Sequence, residues 1–390
     1  MDTEALKHTW GLAEKAGDEV PLYFYSHLFI AHPELRAMFP VSMATQRDRL
    51  VGALGRIVSN VDQLDEVTEF IQQLGRDHRR FHVVADHYGA VGASLLATLE
   101  HFLGAEWTPQ VAADWAAAYG LIAKVMVQAA EESEEHSPSA WDAEVVDVDR
   151  RSLDVAVLQV RPTQRMEFEP GQSMAVELAR LPRLWRYLSP ANAPRRNGTL
   201  ELHVQRVPGG QVSATMVKTV KVGDTVRLGA PIGQELTLPA DDLRPLVMVA
   251  ASTGLAPLRA HLERIDHHWQ RTGEAPRVHL FHGARLPWNL YEHDLLTQLT
   301  SREWFDYTPV VSDDPTYPGE RGLVGDVAAR DRDWSGHVAL VCGSPDMVRH
   351  TVDRLAATGL DRADIRYEQF STPDADRSSS DVHNESGDQS

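Results

Sequence analysis

The stretch PLVMVAASTGLAPLRAHLERIDHHW, residues 245–269, decides the fold class. It opens on an apolar run, breaks at Ser252, Thr253 and Gly254, and continues with the spacing of an amphipathic helix. That order reads as buried strand, loop, helix. The scheme repeats in RVHLFHGAR (277–285) and in HVALVCGSPDMVRHTVDRLAA (337–357). Buried strands alternating with helices imply a parallel sheet covered on both faces. This α/β region is expected over 244–370 and ends on the strand DIRYEQF (364–370). The tail STPDADRSSSDVHNESGDQS (371–390) has almost no apolar residue to bury and is expected to be disordered.

Upstream, the texture changes. EVVDVDR (144–150), LDVAVLQVRP (153–162), SMAVELAR (173–180), TLELHVQRV (199–207) and DTVRLGAP (224–231) are near-alternating and rich in β-branched residues. Gly, Pro, Asp and Asn separate them, which predicts a small antiparallel β-barrel over 141–240. Before it, apolar residues recur at helical spacing in VPLYFYSHLFIA (20–31), RLVGALGRIVSNV (49–61), EVTEFIQQLG (66–75) and WAAAYGLIAKVMVQAA (115–130). Pro33, Pro40 and the Gly-rich GAVGAS (89–94) are read as breaks in an all-α domain over 1–138. The charged EESEEHSPS (131–139) marks its boundary.

At 390 residues the chain is too long for one ordinary domain. With 38 Lys and Arg against 56 Asp and Glu, its net charge of −18 argues against nucleic-acid or stable membrane partners. The lone cysteine, Cys342, permits no intrachain disulfide and no protein-bound iron–sulfur cluster. No apolar run is long enough to span a bilayer, and MDTEALKHTW (1–10) lacks the basic-then-apolar pattern of a signal peptide. The expected location is the cytoplasm, and the expected state is a monomer or weak dimer.

Haem binding needs a basic iron ligand, apolar walls and a distal side that admits a gas. Tyr25 and Phe29 share a helix face, as do Gln46 and Leu50, and His78 lies in a third segment. His82, one turn on, is a rival ligand. YFYSHLFIAHPELRAMF (23–39), MATQRDRL (43–50), GRDHRRFHVVADHYGAVGASLLATL (75–99) and DWAAAYG (114–120) resemble the globin domain of flavohaemoglobins, as a divergent bacterial member. The resemblance makes His78 the proximal ligand of haem b. It makes Tyr25 and Gln46 the distal polar pair, Leu50 a distal wall, Phe39 a residue packed on the haem, and Tyr88 the hydrogen-bonding tyrosine behind the proximal histidine. The family's carboxylate late in the last helix falls here on Ala130, beside Glu131 and Glu132. The lysine before the proximal histidine is Asp77.

RLWRYLSPANAP (183–194) is similar to the flavin motif of ferredoxin–NADP reductase-like enzymes. Arg186 suits the FAD pyrophosphate, because its fork matches phosphate oxygens. Ser189 suits the isoalloxazine edge. Leu188 stands where the family has tyrosine, with Tyr187 beside it, and Ser173 stands where an aromatic is usual. In GGQVSATM (209–216), Gly210, Gln211, Val212 and Ser213 suit the flavin phosphates. VAASTGLAPL (249–258) places Ser252, Thr253, Gly254 and Pro257 at the NAD(P)H site, with Ala251 and Ser252 replacing glycines. The second nucleotide loop supplies Cys342, Gly343 and Pro345. The resemblance puts Glu368 at the flavin's reactive edge and makes Phe370 its shield. Arg285 and Tyr291 are candidates for an adenosine 2′-phosphate, so NADH against NADPH stays open.

With iron–sulfur excluded, the internal electron acceptor is the haem. The resemblance implies a nitric oxide dioxygenase: NAD(P)H electrons pass through FAD to haem, where nitric oxide and oxygen become nitrate. Two alternatives are a divergent flavohaemoglobin oxidising an organic donor such as D-lactate, and a haem-based oxygen or nitric oxide sensor with weak reductase activity.

Overall fold

The computed structural model describes residues 1–61, 64–239, 241–330 and 332–369. The chain divides into two units, Met1–Ala140 with Leu181–Leu184, and Trp141–Arg180 with Trp185 onward.

The first unit is all helix: α1 (Thr3–Glu14), α2 (Glu19–Ala31), α3 (Ala44–Ser59), α4 (Leu64–His78), α5 (Ala85–Leu103) and α6 (Pro109–Glu134). Two N-termini are built as local chemistry demands. The Asp2 side chain accepts from the Ala5 amide, and the Thr108 hydroxyl accepts from the Val111 amide with Pro109 following. One apolar cluster gathers Trp10, Phe24, Tyr25, Leu28, Leu99 and Trp115. A second joins α4 to α6 through Val67, Ile71 and Met126. Gly75 lets those two helices touch, since a Cβ there would lie 2.3 Å from the Met126 carbonyl oxygen. The break expected at GAVGAS is absent, because residues 89–94 lie inside α5. Gly92 serves packing, since the Tyr119 ring fills the space a Cβ would need, at 2.5 Å.

The second unit opens with β1 (Trp141–Arg150), β2 (Val155–Pro162), β3 (Ser173–Leu178), β4 (Arg186–Leu188), β5 (Leu200–Gln205), α7 (Gln211–Lys218) and β6 (Thr225–Ile232). These strands form an antiparallel sheet in the order β4-β3-β6-β1-β2-β5. A bridge from Pro190, just past β4, to Leu202 in β5 nearly closes it into a barrel.

The chain then runs β7 (Leu246–Ala251), α8 (Leu255–Thr272), β8 (Val278–Ala284), α9 (His293–Leu299), β9 (Phe305–Val311), β10 (Glu320–Arg321), α10 (Val324–Ala329), β11 (Val338–Gly343), α11 (Pro345–Ala356) and β12 (Ile365–Gln369). The strands are parallel in the order β10-β9-β8-β7-β11-β12. Alternate residues of β7 feed opposite cores: Leu246, Met248 and Ala250 meet α8, while Val247 and Val249 join the cluster of α10 and α11. The order reverses between β7 and β11, and ligands of open α/β sheets bind at the carboxyl ends of the strands flanking such a switch. Among the described residues no helix is long and apolar enough to cross a membrane. The expected tail and Phe370 lie outside the described residues.

Candidate cofactor sites

In the helical unit, α2 and α3 bring the distal candidates together. Gln46 Nε2 donates to the Tyr25 hydroxyl at 3.3 Å, and that hydroxyl lies 3.4 Å from the Gln46 carbonyl. Phe29 stacks on Tyr25 with ring centroids 5.8 Å apart, and Phe39 meets both edge-on at 5.5 and 5.3 Å. Leu50 packs on the same cluster. Burial pushes the Tyr25 phenol up to about 12 against the lowering hydrogen bond from Gln46, so it is a neutral donor at physiological pH.

His78 ends α4, and its Nδ1 lies 2.6 Å from the Leu74 carbonyl oxygen. That bond places the ring proton on Nδ1 and leaves the Nε2 lone pair for a metal. Burial lowers the His78 pKa, against the raising effects of the Leu74 carbonyl and Asp77. The donor set therefore fits a haem iron. The rival His82 is exposed and sits past the helix end with φ 59°, a position set by the backbone turn.

Tyr88 packs in the α4–α6 cluster beside Leu74, and its backbone carbonyl accepts from the Tyr119 hydroxyl at 2.7 Å. The His78 ring is held by the Leu74 carbonyl, one helical turn back. Asp77 accepts from Gln73 Nε2 at 3.1 Å and lies 3.4 Å from Arg80. Glu132 accepts from Gln128 at 2.8 Å on the exposed side of α6.

In the barrel, Arg186 begins β4 and donates from Nη1 to its neighbour Trp185's carbonyl at 2.8 Å. Tyr187 pairs with Ala175 and keeps an exposed ring, whereas Leu188 pairs with Met174 on β3. Ser189 is buried just after β4, and buried Ser173 pairs with Ile232. Gly210 is the N-cap of α7 and has no side-chain cap bond, so the first-turn amides of Gln211, Val212 and Ser213 are available to an anion. A Cβ at Gly210 would lie 2.8 Å from Ser213 Oγ, so only glycine leaves that cradle open. The Val212 side chain is core, which leaves its amide for the role. This set fits a flavin phosphate site.

At the switch point, Ser252–Gly254 form a 3-10 turn directly before α8, with Pro257 buried in its first turn. Gly254 is pressed against the end of β11, where a Cβ would fall 2.2 Å from the Cys342 carbonyl oxygen. Gly343 and Pro345 follow from β11 into α11. Cys342 is the register partner of Glu368 on β12. Burial, then the Glu235 charge, lifts the Glu368 carboxyl to about 7. Burial, then Glu368, raises the Cys342 thiol well above its ordinary value. The Cys342 thiol is therefore protonated at neutral pH, whereas Glu368 titrates within that range. Tight glycines at two adjacent parallel-strand ends fit a dinucleotide site.

The two candidates for a 2′-phosphate part company. Tyr291 is buried, with its hydroxyl 2.8 Å from His203 Nδ1. Arg285 is exposed, and its Nε donates to Asp313 at 2.7 Å.

A polar cluster between barrel and nucleotide domain escaped the sequence reading. Arg259 on α8 donates from Nε to Glu292 at 3.2 Å and from Nη1 to the Ala191 carbonyl at 2.9 Å, and lies 3.7 Å from Glu201 on β5. Arg195 pairs with Glu263 at 2.8 Å and with Glu201 at 3.3 Å. Burial alone would raise the Glu201 carboxyl. The His203 hydrogen bond and the Arg259 charge outweigh it and hold the carboxyl at about 2. The available signal was the alternation of Glu201, His203 and Gln205 along an otherwise apolar strand.

These sites define a haem-binding helical unit followed by an FAD- and nicotinamide-dependent oxidoreductase. Comparison with known proteins agrees. A globin family model matches residues 22–126, an oxidoreductase FAD-binding domain 142–235, and an oxidoreductase NAD-binding domain 248–353. The flavohemoprotein of Rhizobium meliloti (strain 1021) is 27% identical over 407 residues, covering 94% of this chain and 96% of its own. The flavohemoglobin of Malassezia yamatoensis, crystallised with FAD and heme, shares the fold with a TM-score of 0.75 at 17% identity, over 95% of this chain and 98% of that one. The Amycolatopsis cytochrome P450 reductase is 28% identical with a TM-score of 0.55, over 60% of this chain and 70% of its own. The three domain matches and these relatives support the flavohaemoglobin family, with haem, FAD and NAD as its cofactors.

Proposed function

We propose that this protein is a flavohaemoglobin acting as a nitric oxide dioxygenase, converting nitric oxide and oxygen to nitrate at the expense of NAD(P)H. The observation that carries the reading is the Tyr25–Gln46 pair set in the aromatic wall of Phe29 and Phe39. When bound, haem supplies the gas-binding iron, and FAD takes a hydride from the nicotinamide and releases electrons singly. The chain's own residues do the rest. His78 offers Nε2 while the Leu74 carbonyl fixes its ring. The Tyr25 phenol, kept protonated by burial, donates to dioxygen on the distal side. The Gln46 amide orients that phenol, and Phe29, Phe39 and Leu50 exclude water.

The test is an electrode trace of nitric oxide decay with NADH and oxygen, with nitrate measured as product. Removing one donor aimed at developing charge costs about a hundredfold in rate. Tyr25→Phe is therefore expected to slow nitric oxide consumption by about that factor while NADH still reduces the flavin at the wild-type rate. If haem- and FAD-loaded protein yields no nitrate even after chemical reduction of its haem, the proposal fails.

A further inference from the structure

Glu201, His203 and Gln205 occupy alternate positions of β5 and contact the nucleotide domain. Glu201 meets Arg259, His203 meets Tyr291, and Gln205 meets Ser252. The last contact reaches the turn between β7 and α8. Ser252 has φ 52°, a left-handed backbone that glycine adopts readily and serine does not. Two partners hold it there. The Ser252 hydroxyl donates to Gln205 Oε1 from the barrel side. From the sheet side, Nε2 of His282 on β8 lies 3.1 Å from the Ser252 carbonyl oxygen. His282 is fully buried, and its ring meets Tyr291 edge-on at 5.9 Å. On the far side the turn abuts β11, where Gly254 lies against the Cys342 carbonyl.

We infer that Gln205 and His282 are positioning residues for the nicotinamide dinucleotide: together they hold Ser252 in the left-handed turn whose N–H groups receive the phosphates. The inference rests on reading this turn as the nicotinamide site. Backbone amides at a strand-to-helix turn bind phosphate only while the turn keeps its conformation. A glycine would keep it with little strain. With serine, the strain has to be offset from outside, and the two partners that offset it come from the flavin barrel and the adjoining strand. Burial, followed by the opposing Ser252 carbonyl bond, sets the His282 pKa at about 4. The ring is therefore neutral at working pH, with one nitrogen carrying the donated proton. The flavin-binding barrel and the nucleotide loop are thereby tied through the Ser252 hydroxyl.

The test uses the full-length, FAD-loaded protein and two readouts. One is calorimetric titration with NAD+, which binds without donating a hydride. The other is anaerobic stopped-flow reduction of the flavin by NADH. If about a tenth of the untethered turns keep the binding geometry, the apparent Kd rises about tenfold. Gln205→Ala, His282→Leu and Ser252→Ala are each expected to raise the NAD+ Kd by about that factor. Ser252→Gly is expected to bind within about threefold of wild type, and to rescue Gln205→Ala in the double variant. A structural role alone predicts no such rescue. A wild-type Kd in Gln205→Ala, or binding by Ser252→Gly as weak as by Ser252→Ala, overturns the inference. Wild-type protein whose flavin NADH does not reduce overturns the site reading beneath it.

Discussion

Replacing Arg259 with methionine keeps most of the side-chain volume and removes the charge at the centre of the barrel–nucleotide cluster. Glu292, which is 1% exposed, loses a partner at 3.2 Å, and Glu201 loses one at 3.7 Å. Breaking a buried pair by removing one partner costs about 3–5 kcal/mol, because the remaining charge stays buried. Arg151 remains 3.3 Å from Glu292 and Arg195 remains 3.3 Å from Glu201, which argues for the lower end, about 3 kcal/mol. For a unit of this size that corresponds to a Tm lower by about 6–12 °C. The assay is urea and thermal unfolding followed by flavin fluorescence, which reports the reductase unit separately from the helical one. The pH profile gives a second readout. Glu201 has a folded pKa of about 2 against an ordinary 4.5. Its contribution is therefore complete above pH 4.5 and is lost as pH falls towards 2. Arg259→Met should flatten that loss. A stability change below about 1 kcal/mol, with the acid limb unaltered, would mean that water and the other arginines already solvate these carboxylates, and the reasoning would be wrong.

Three further outcomes are expected. His78→Ala should abolish the Soret band while flavin absorbance persists, and His82→Ala should retain it; the reverse pattern would reassign the iron ligand. Glu368 has a folded pKa of about 7 against an ordinary 4.5, so the reductase unit should lose stability as pH rises from 4.5 to 7 and then level off. Glu368→Gln should remove that slope in urea unfolding, and an unchanged slope would refute the assignment. By the resemblance, Leu188 and Ser173 take positions where aromatic residues would cover the flavin, each worth about 1–3 kcal/mol of burial. The protein should accordingly shed FAD on dialysis and Leu188→Tyr should retain it; stoichiometric FAD in exhaustively dialysed wild type would contradict this.

The local patterns in the sequence carried the architecture. Helical spacing before residue 135, alternation after Trp141 and apolar runs after Pro245 are periodicities of side-chain burial, and each is written within a single element. The same holds for Gly210, whose Cβ space is taken by its near neighbours Ser213 and Val207. The GAVGAS reading failed because glycine has two uses. Local pattern suggested a break, whereas Gly92 makes room for Tyr119 on a different helix. His78 and His82 were equivalent as letters and separated only when the helix ended between them, leaving one ring on the Leu74 carbonyl and the other exposed. Tyr291, in the loop between β8 and α9, is buried with its hydroxyl against His203 on β5. The Arg259 cluster and the hold on Ser252 join residues tens of positions apart on different domains. Their energies depend on burial and on charge pairing across that distance, and those quantities exist only once β5 and α8 have been brought face to face.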